Sequence, residues 1–430
     1  MNVKRLTIQG FRNLDSVSIE LGKFNVLIAF NNYGKSNVLR AIDFGARFLK
    51  ASPREKYHLM AIKNFLPINK QNAGKDFLFD IEFITFFNSV EYIIKYKYSF
   101  TWIQGEGEGR KITSENLQVK RNEKKQQFRS LIKRDGIKAL YLSSPNGRCD
   151  SKLPIEDDEL LLNKLELIGT LFYQEILEKI NNINLKINSS LDMDSLFGRI
   201  DLSPKVPDNQ LDIDEFSSVS KFIYHLKSIH PDRFSILLDA IYSLLPNVEQ
   251  IEPVEIDFNE SSSLGDEGDI PFSIPDKIYE IRIKERTNNQ ATSIRLLSSG
   301  SQRIIHILCM AMSAQMCKVP LVAFEELENS IHPSLLQRLL IILDSLAEDV
   351  KILLTSHSPY LLQYLDIKNF YFGIPNDDNL AMFQRISGKA KEKKLVRDAL
   401  ELELSLGEYI FDLFLESKEE PEILQQYMHA

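Results

Sequence analysis

Lys35 and Ser36 follow Gly34 in the segment NVLIAFNNYGKSNVLRAI, residues 25–42, and this order of residue types suits phosphate binding. The apolar stretch before them predicts a buried strand, and the apolar spacing after them predicts a helix. In such a loop the backbone N–H groups and the helix N-terminus bind phosphate oxygens, the lysine contacts the β- and γ-phosphates, and the serine binds Mg²⁺. The segment predicts a nucleotide site, with a chance match in an ordinary loop as the alternative.

Ala29 stands where a phosphate-binding loop normally begins with glycine. The added methyl group costs little if this residue has a negative φ, and roughly 1 kcal/mol or more if φ is positive. The backbone conformation at Ala29 therefore decides whether the loop is strained.

A serine- and glycine-rich segment, RLLSSGSQRIIHIL, opens a predicted helix at residues 295–308. Free N–H groups at the start of the helix and the hydroxyl of Ser298 could face a phosphate. Taken alone, such a start is more often an ordinary N-cap.

The apolar strand PLVAF ends in two carboxylates, Glu325 and Glu326. A buried strand seldom ends in paired acids without a cation or a proton to manage. Glu325 could hold the hydration shell of Mg²⁺, and Glu326 could orient or deprotonate an attacking water. The alternative is a solvated strand end.

A further strand, VKILLT, ends just before His357. A histidine at this strand tip could hydrogen-bond a γ-phosphate and the lytic water, although an isolated loop histidine is more often structural. Each of these segments is a modest signal. Their order and spacing fit a single nucleotide-hydrolysing site, so a joint chance occurrence is improbable.

The elements that would position these residues alternate between strands and helices. Residues 3–9 and 16–20 predict an antiparallel pair, and residues 76–141 predict a strand-rich meander. From about 150 to 245 the pattern turns helical, and two strands then flank NESSSLGDEGD, a polar acidic loop. No internal repeat or long heptad array is visible.

Composition indicates a folded protein without membrane segments. The chain has 430 residues, 43% of them hydrophobic, and a net charge of −8. It has no apolar run of about 18 residues and no apolar signal-peptide core at the start. Its three cysteines, Cys149, Cys309 and Cys317, form no paired motif. That usage suits a reducing cytoplasm, where we expect the protein.

Basic residues concentrate between Arg110 and Lys138, and they could be either the solvated faces of hairpins or a patch for nucleic acid or a partner. This basic stretch includes Lys120, Arg121, Lys124, Lys125, Arg129, Lys133 and Arg134.

Together the motifs resemble an ABC-type ATPase of the RecF/SMC/OLD branch, within the AAA ATPases. The matching segments are LTIQGFRNL at the start, NNYGKSN as Walker A, LLSSGSQR as signature, FEELENSIHP as Walker B with D-loop, and LLTSHSP as switch histidine. The resemblance implies an α/β ABC ATPase head with a mixed β-sheet core, an antiparallel β-rich lobe and a mainly helical insertion.

The resemblance divides the chain into four regions. They are an N-terminal ATPase lobe at 1–150, a mainly helical insertion at 151–275, a C-terminal ATPase lobe at 276–370 and a C-terminal tail at 371–430.

It also implies roles for individual residues. Glu326 and His357 would be catalytic, and Ser36 and Glu325 would hold the Mg²⁺. The residues expected to bind ATP are Arg12, Asn31, Asn32, Tyr33, Gly34, Lys35, Ser36, Asn37, Ser298, Ser299 and Gly300. Two heads would sandwich two ATP molecules, with Ser298 and Gly300 of one subunit facing the Walker motifs of the other.

Two departures from the family pattern put fast turnover in doubt. Ala29 replaces a glycine, and Glu325 replaces the usual aspartate, which moves its carboxylate toward the metal by about one C–C bond, roughly 1.5 Å. We therefore expect a slow ATPase whose ATP-bound state is the functional signal.

The partner expected from the resemblance is a separate effector protein. The segment after His357 is too short for the Toprim nuclease domain of full OLD proteins, and no zinc hook or long coiled-coil arm interrupts the chain. This organisation resembles ATPase subunits of two-gene bacterial anti-phage systems such as PARIS or Septu, which form oligomers and control a nuclease.

Two other functions stay open. One is a RecF-like DNA-repair ATPase that clamps DNA, with the stretch 110–138 as its contact. The other is a nucleotide-sensing structural protein without hydrolysis.

Overall fold

The computed structural model describes residues 1–67, 69–105, 111–188, 219–257, 277–357, 359–374, 380–386, 388–417, 419–420 and 422–428. The chain divides into two compact units, Met1–Ser189 with Lys351–Ala430, and Ser190–Val350. We refer to them as unit 1 and unit 2 and number strands and helices along the chain. The acidic loop NESSSLGDEGD and Arg110 lie outside the described residues.

An antiparallel sheet of eight strands makes up much of unit 1. Its order is β2-β1-β4-β5-β6-β7-β8-β9, and every neighbouring pair is antiparallel. The strands are β1 (Asn2–Phe11), β2 (Leu14–Glu20), β4 (Phe77–Phe87), β5 (Val90–Thr101), β6 (Lys111–Arg121), β7 (Arg129–Asp135), β8 (Lys138–Leu142) and β9 (Cys149–Lys152). The predicted pair at residues 3–20 and the meander at 76–141 are both present.

A second sheet in unit 1 has parallel strands at its centre. In it β3 (Phe24–Ile28) lies between β15 (Lys351–Ser356) and β16 (Phe370–Gly373), parallel to both, and β17 (Phe383–Gln384) pairs antiparallel with β16. All five residues of β3 are buried, as the continuous apolar run predicted.

Helix α1 (Lys35–Lys50) follows β3 and packs its apolar stripe against the antiparallel sheet. The approach is close at Gly45, where a Cβ would lie 2.1 Å from the Phe79 ring, and the Gly45 carbonyl accepts a hydrogen bond from Tyr98 Oη at 2.8 Å. A cluster of rings between helix and sheet consists of Phe11, Phe44, Phe48, Phe77, Phe100 and Trp102. The helix that begins with Lys35 is thus fixed by a large aromatic core.

The rest of unit 1 is mostly helical. Its elements are α2 (Pro53–Met60), α3 (Leu161–Glu166), α4 (Gln174–Asn181), β10 (Leu185–Asn188), α9 (Gly388–Glu401), α10 (Leu406–Glu416) and α11 (Glu422–Gln425). The helical pattern over DELLLNKLELIGTLFYQEILEKI is divided into α3 and α4 because the chain turns at Gly169, which has φ +70°.

Unit 2 combines helices with a small antiparallel sheet. That sheet has the order β11-β12-β13. The elements of the unit are α5 (Val219–Ile229), α6 (Pro231–Leu244), β11 (Val248–Asp257), β12 (Lys277–Glu285), β13 (Thr292–Ser293), α7 (Ser299–Met316), β14 (Leu321–Phe324) and α8 (Pro333–Ala347). Residues 190–218 and 258–276 are outside the description.

Within the described part of the chain, no helix combines the length and the apolar character needed to cross a membrane.

Candidate functional site

The loop between β3 and α1 is unstrained at Ala29. Ala29 keeps a negative φ and is 1% exposed. Its methyl group lies close to Gly373 on the neighbouring strand, where an added Cβ would come within 2.6 Å. The residue that departs from the glycine pattern therefore carries no left-handed strain, and its methyl group takes part in packing.

Lys35, the first residue of α1, is 5% exposed and points back into the loop. Its Nζ donates to the carbonyl oxygens of Ala29 at 2.7 Å and Phe30 at 3.2 Å, and lies 3.0 Å from Nδ1 of His357. Two residues predicted to act on the same phosphate, Lys35 and His357, thus lie in direct contact although they are far apart in sequence.

Two residues of the loop have positive φ. Asn32 has φ +60° and Gly34 has φ +130°, a conformation that asparagine tolerates and that glycine adopts freely. Asn31 and Asn32 are exposed, while Ser36 is half-buried in the first turn of α1. The N-terminal N–H groups of α1, the glycine at its cap and the lysine are the kinds of group that bind phosphate at a helix N-terminus.

A chain of hydrogen bonds ties Arg12 to the loop. Arg12 Nη1 donates to Asn37 Oδ1 at 2.9 Å, Asn37 Nδ2 donates to Asn13 Oδ1 at 2.7 Å, and Asn13 Nδ2 donates to the Tyr33 carbonyl at 2.8 Å. Arg12 Nε also donates to the Asn64 carbonyl at 2.8 Å. Burial and the nearby Arg40 lower the pKa of Arg12. Asn13 was not among the predicted site residues, although it follows Arg12 in the motif.

The C-terminal part of unit 1 packs against the same loop. Tyr33 Oη donates to the Ile374 carbonyl, and an added Cβ on Gly34 would lie 2.8 Å from the Ala381 methyl group. Phe30 stacks on Phe414 of α10 with ring centroids 4.1 Å apart. No sequence pattern predicted these contacts, because the C-terminal residues involved carry no motif.

In unit 2 the serine- and glycine-rich segment caps helix α7. The Ser298 hydroxyl accepts from the Ser301 N–H at 3.2 Å, which is the ordinary N-cap role, and Ser298 and Ser299 are both exposed. An added Cβ on Gly300 would lie 2.2 Å from the Ser330 carbonyl oxygen. Gly300 is required here because the backbone after β14 approaches the helix start too closely for any side chain.

The two carboxylate residues after β14 are held by Arg303 of α7. Arg303 is 4% exposed, and its Nη2 donates to the Glu325 carbonyl at 2.9 Å and to the Glu326 carbonyl. Desolvation lowers the pKa of Arg303, while Glu328, Glu326 and Glu325 act in the opposite direction. Arg303 is a functional candidate. It belongs to the signature segment LLSSGSQR, but the sequence motifs predicted no role for it.

Glu326 itself has an unusual backbone. Its φ is +48°, in the left-handed region that a glutamate seldom adopts, and its Oε2 accepts a hydrogen bond from Asn329 Nδ2. Strained backbone of this kind concentrates at functional positions. Among the described residues there is no group of three or more His, Cys, Asp or Glu side chains arranged to hold a metal ion.

One member of the basic stretch 110–138 is not available to a ligand. Arg134 is 4% exposed, and its guanidinium donates to the carbonyls of Gly136, Glu156 and Glu159. The interpretation of Arg134 as part of a surface patch was wrong because the alternation of β7 places it on the inner face of the sheet.

Two family profiles match the sequence. Residues 170–363 match the AAA domain family described as putative AbiEii toxin, Type IV TA system. Residues 1–112 match a family described as protein of unknown function, DUF2813. Residues 170–363 are therefore similar to an AAA-family ATPase domain. A search of curated proteins gave no match.

Solved structures of SMC heads are similar to the chain. An SMC head domain from Thermotoga maritima has 12% identity and a TM-score of 0.41, with 90% of this chain and 100% of that chain covered. An Smc head with an extended coiled coil, bound to the C-terminal domain of ScpA derived from Pyrococcus furiosus, has 13% identity and a TM-score of 0.44, covering 92% and 99%.

The support for the fold comes from a third structure. The SmcHead bound to the C-winged helix domain of ScpA has 14% identity and a TM-score of 0.51, with 91% of this chain and 100% of that chain covered. The expected fold class, an ABC ATPase head with mixed and antiparallel sheets and helices, is confirmed.

Proposed function

We propose that the protein binds ATP at the loop between β3 and α1 and hydrolyses it slowly. The observation that carries this proposal is the contact between the Lys35 ammonium and His357 beneath a glycine-capped helix N-terminus. A helix N-terminus with an adjacent lysine and a histidine offers donors to several phosphate oxygens at once. The match of residues 170–363 to an AAA domain supports the same chemistry.

In this proposal five of the predicted residues have separate tasks. Lys35 neutralises phosphate charge, His357 donates to the terminal phosphate, and Glu326 orients the attacking water and accepts its proton. Ser36 and Glu325 would hold Mg²⁺, which supplies charge neutralisation when bound. The backbone N–H groups at the start of α1 orient the phosphates.

Slow turnover is supported by the geometry of the described residues. The Lys35 ammonium already has two carbonyl acceptors and His357, so a phosphate must compete with all three. Glu326 is held by Asn329 in a left-handed backbone conformation, which restricts how its carboxylate can move.

The direct test measures ATP binding by calorimetry and phosphate release by the pure protein. Lys35→Ala should abolish both, whereas Lys389→Ala, which removes an exposed lysine from α9, should change neither. Turnover on the order of tens of ATP per second per subunit would contradict slow hydrolysis. Tight ATP binding without phosphate release would instead indicate a nucleotide sensor.

We further propose that the ATP-bound protein forms a homodimer or higher oligomer that regulates or scaffolds a separate nuclease effector in anti-phage defence. The exposed start of α7, with Ser298 and Ser299, supports contact with a second copy. The match to a family described as putative AbiEii toxin, Type IV TA system, and the likeness to an SmcHead structure solved with a bound partner domain support a protein partner. Co-purification of the ATPase with the product of the neighbouring gene, dependent on Lys35, tests the proposal.

A second candidate function, ATP-dependent DNA clamping as in RecF-like repair ATPases, is favoured by one surface. On the outer face of the antiparallel sheet, Lys97 and Lys133 flank Asn116 across neighbouring strands. Nearby, the ammonium groups of Lys95 and Lys120 lie 4.4 Å and 4.7 Å from the ring centroid of Phe128. Lysines beside amides and an aromatic ring suit a nucleic-acid backbone and its bases.

The DNA-binding alternative has a clear readout. Lys97→Gln with Lys133→Gln should weaken duplex binding and reduce the slope of log affinity against log salt by about two. Lys389→Gln with Lys393→Gln removes the same charge from an exposed part of α9 and should leave the slope unchanged. Identical binding by both double variants would exclude this face as the DNA contact.

A further inference from the structure

A cavity of about 400 Å³ lies in unit 1 at the amino-terminal ends of β3 and β16. Its charged lining consists of Lys4, Arg5, Lys368, Arg385, Glu20 and Glu82. The volume is within the range of roughly 300–1,000 Å³ that small-molecule sites occupy. None of these residues belongs to the predicted nucleotide site.

The cavity is remote from the phosphate loop. Gly22, which also lines it, precedes β3, whereas Ala29 follows the same strand. At about 3.3 Å per residue, the length of β3 separates the two places by roughly 17 Å. A ligand in the cavity therefore would not touch the nucleotide-binding residues.

The carboxylates of the lining are fully engaged with cations. Glu20 pairs with Arg385, and Glu82 Oε2 is shared by Arg5 at 3.2 Å and by Lys95 at 3.3 Å. Each acid is thus neutralised, and Glu82 accepts two positive groups. Four cations against two carboxylates leave the lining with an excess of positive charge.

One cationic group in the lining has donors to spare. The Lys4 ammonium makes no hydrogen bond or ion pair to any residue that the structure describes, while the Arg5 guanidinium is engaged with Glu82. An anionic oxygen in the cavity would accept a charge-assisted hydrogen bond from the Lys4 ammonium. Lys368 adds a further cation from a separate segment, paired at 2.6 Å with Asp366, which is not part of the lining.

We propose that this cavity is a second anion site, which binds a small phosphorylated ligand carrying at least two negative charges. The excess charge selects for a multivalent anion, the spare donors of Lys4 select for oxygen acceptors, and the volume admits more than a single phosphate. The proposal does not rest on nucleotide binding at the phosphate loop.

The experiment titrates inorganic pyrophosphate into the full chain carrying Lys35→Ala, so that the phosphate loop does not contribute. Calorimetry should show binding that weakens as salt is raised. Adding Lys4→Gln and Lys368→Gln should weaken the affinity about tenfold or more, because two of the four cations are lost. Both lysines are surface-accessible, so the thermal midpoint serves as the check that the fold is intact.

The matched control adds Lys389→Gln and Lys393→Gln instead, which removes two exposed lysines of α9. Its pyrophosphate affinity should stay within about twofold of the Lys35→Ala parent. No measurable pyrophosphate binding, or an equal loss in both double variants, would overturn the proposal. Neither result would bear on ATP binding by the protein with Lys35 intact.

Discussion

Arg303 shows how a residue without direct chemistry can fix the backbone of two residues proposed to act on the nucleotide. Its guanidinium is buried and donates to the backbone carbonyls of both Glu325 and Glu326. These carbonyls belong to the short turn in which Glu326 has φ +48°. The strained backbone is therefore held from the helix side by a charge-assisted pair of hydrogen bonds.

Replacing Arg303 tests this support. Arg303→Met keeps much of the volume but leaves the carbonyls without their donor, so the free energy of unfolding should fall by about 2–4 kcal/mol. We expect kcat for ATP hydrolysis to fall roughly tenfold or more with a smaller change in KM, because positioning and not binding is lost. Urea unfolding and steady-state phosphate release measure the two effects.

Arg338→Met is the matched control, since Arg338 is exposed on α8 of the same unit. It should leave both the free energy of unfolding and the kinetics near the wild-type values. An Arg303→Met protein with unchanged kcat would show that Arg303 only stabilises the fold.

His306, one turn along α7 from Arg303, makes stability depend on pH. Burial, with a smaller contribution from Arg303, lowers the pKa of His306 to about 3. The unfolded chain binds this proton near pH 6.5 and the folded chain does not, so stability is complete above pH 6.5 and falls as the pH drops toward 3.

We therefore expect the decrease in the free energy of unfolding between pH 6.5 and pH 4.5 to be roughly 2 kcal/mol smaller in His306→Gln than in the wild-type protein. Urea unfolding at several pH values in this range measures this difference. The substitution itself should also lower the stability at pH 7. His58→Gln, which changes an exposed histidine of α2, should retain the wild-type pH profile. A wild-type profile in His306→Gln would contradict the assignment.

At the scale of elements, the positions of β16 and α10 beside the phosphate loop were not predicted. Strand β3, helix α1 and the start of α7 could be predicted because a buried strand, an apolar helical stripe and a serine cap each leave a local pattern. The pairing of β16 with β3 leaves none, since a four-residue apolar strand does not specify a partner so far away in sequence.

The same limit applies to the site. Lys35 and the two glutamates could be chosen from motifs, whereas Asn13 and Arg303 could not, because hydrogen bonds to backbone carbonyls impose no recognisable spacing. The prediction that Arg134 belongs to a surface patch was wrong for a related reason. The face of β7 on which Arg134 lies depends on the register with β6, where it lies opposite Glu115.

Helix α10 offers a test of how the phosphate loop is held. Phe414→Ala removes the ring that stacks on Phe30 and should lower the free energy of unfolding by about 3 kcal/mol. We also expect ATP to bind roughly threefold to tenfold more weakly, because the loop must then be ordered on binding. Leu415→Ala, at a neighbouring exposed position of α10, is the control and should leave ATP affinity unchanged.

At the scale of the whole molecule, net charge is a poor guide to surface character. The chain carries −8 overall, yet its outer sheet face presents lysines, and the cavity beside β3 is lined by more cations than acids. Charge that is segregated in this way lets an acidic protein bind anions locally.

Self-association provides the prediction at this scale. Glu326→Gln should retain ATP binding while hydrolysis slows. A dimer of this variant should therefore accumulate when ATP is added, and sedimentation velocity would detect it. Lys35→Ala combined with Glu326→Gln should remain in the nucleotide-free state of association. A Glu326→Gln protein that hydrolyses ATP at the wild-type rate would show that the two glutamates have been given the wrong roles.

The bonds that already surround the Lys35 ammonium have a thermodynamic consequence. Because its protons are directed at the Ala29 and Phe30 carbonyls and at His357, an arriving nucleotide trades old electrostatic contacts for new ones of similar strength. The heat released on ATP binding should therefore be small for so highly charged a ligand. The entropy gained by released water should supply much of the favourable binding free energy.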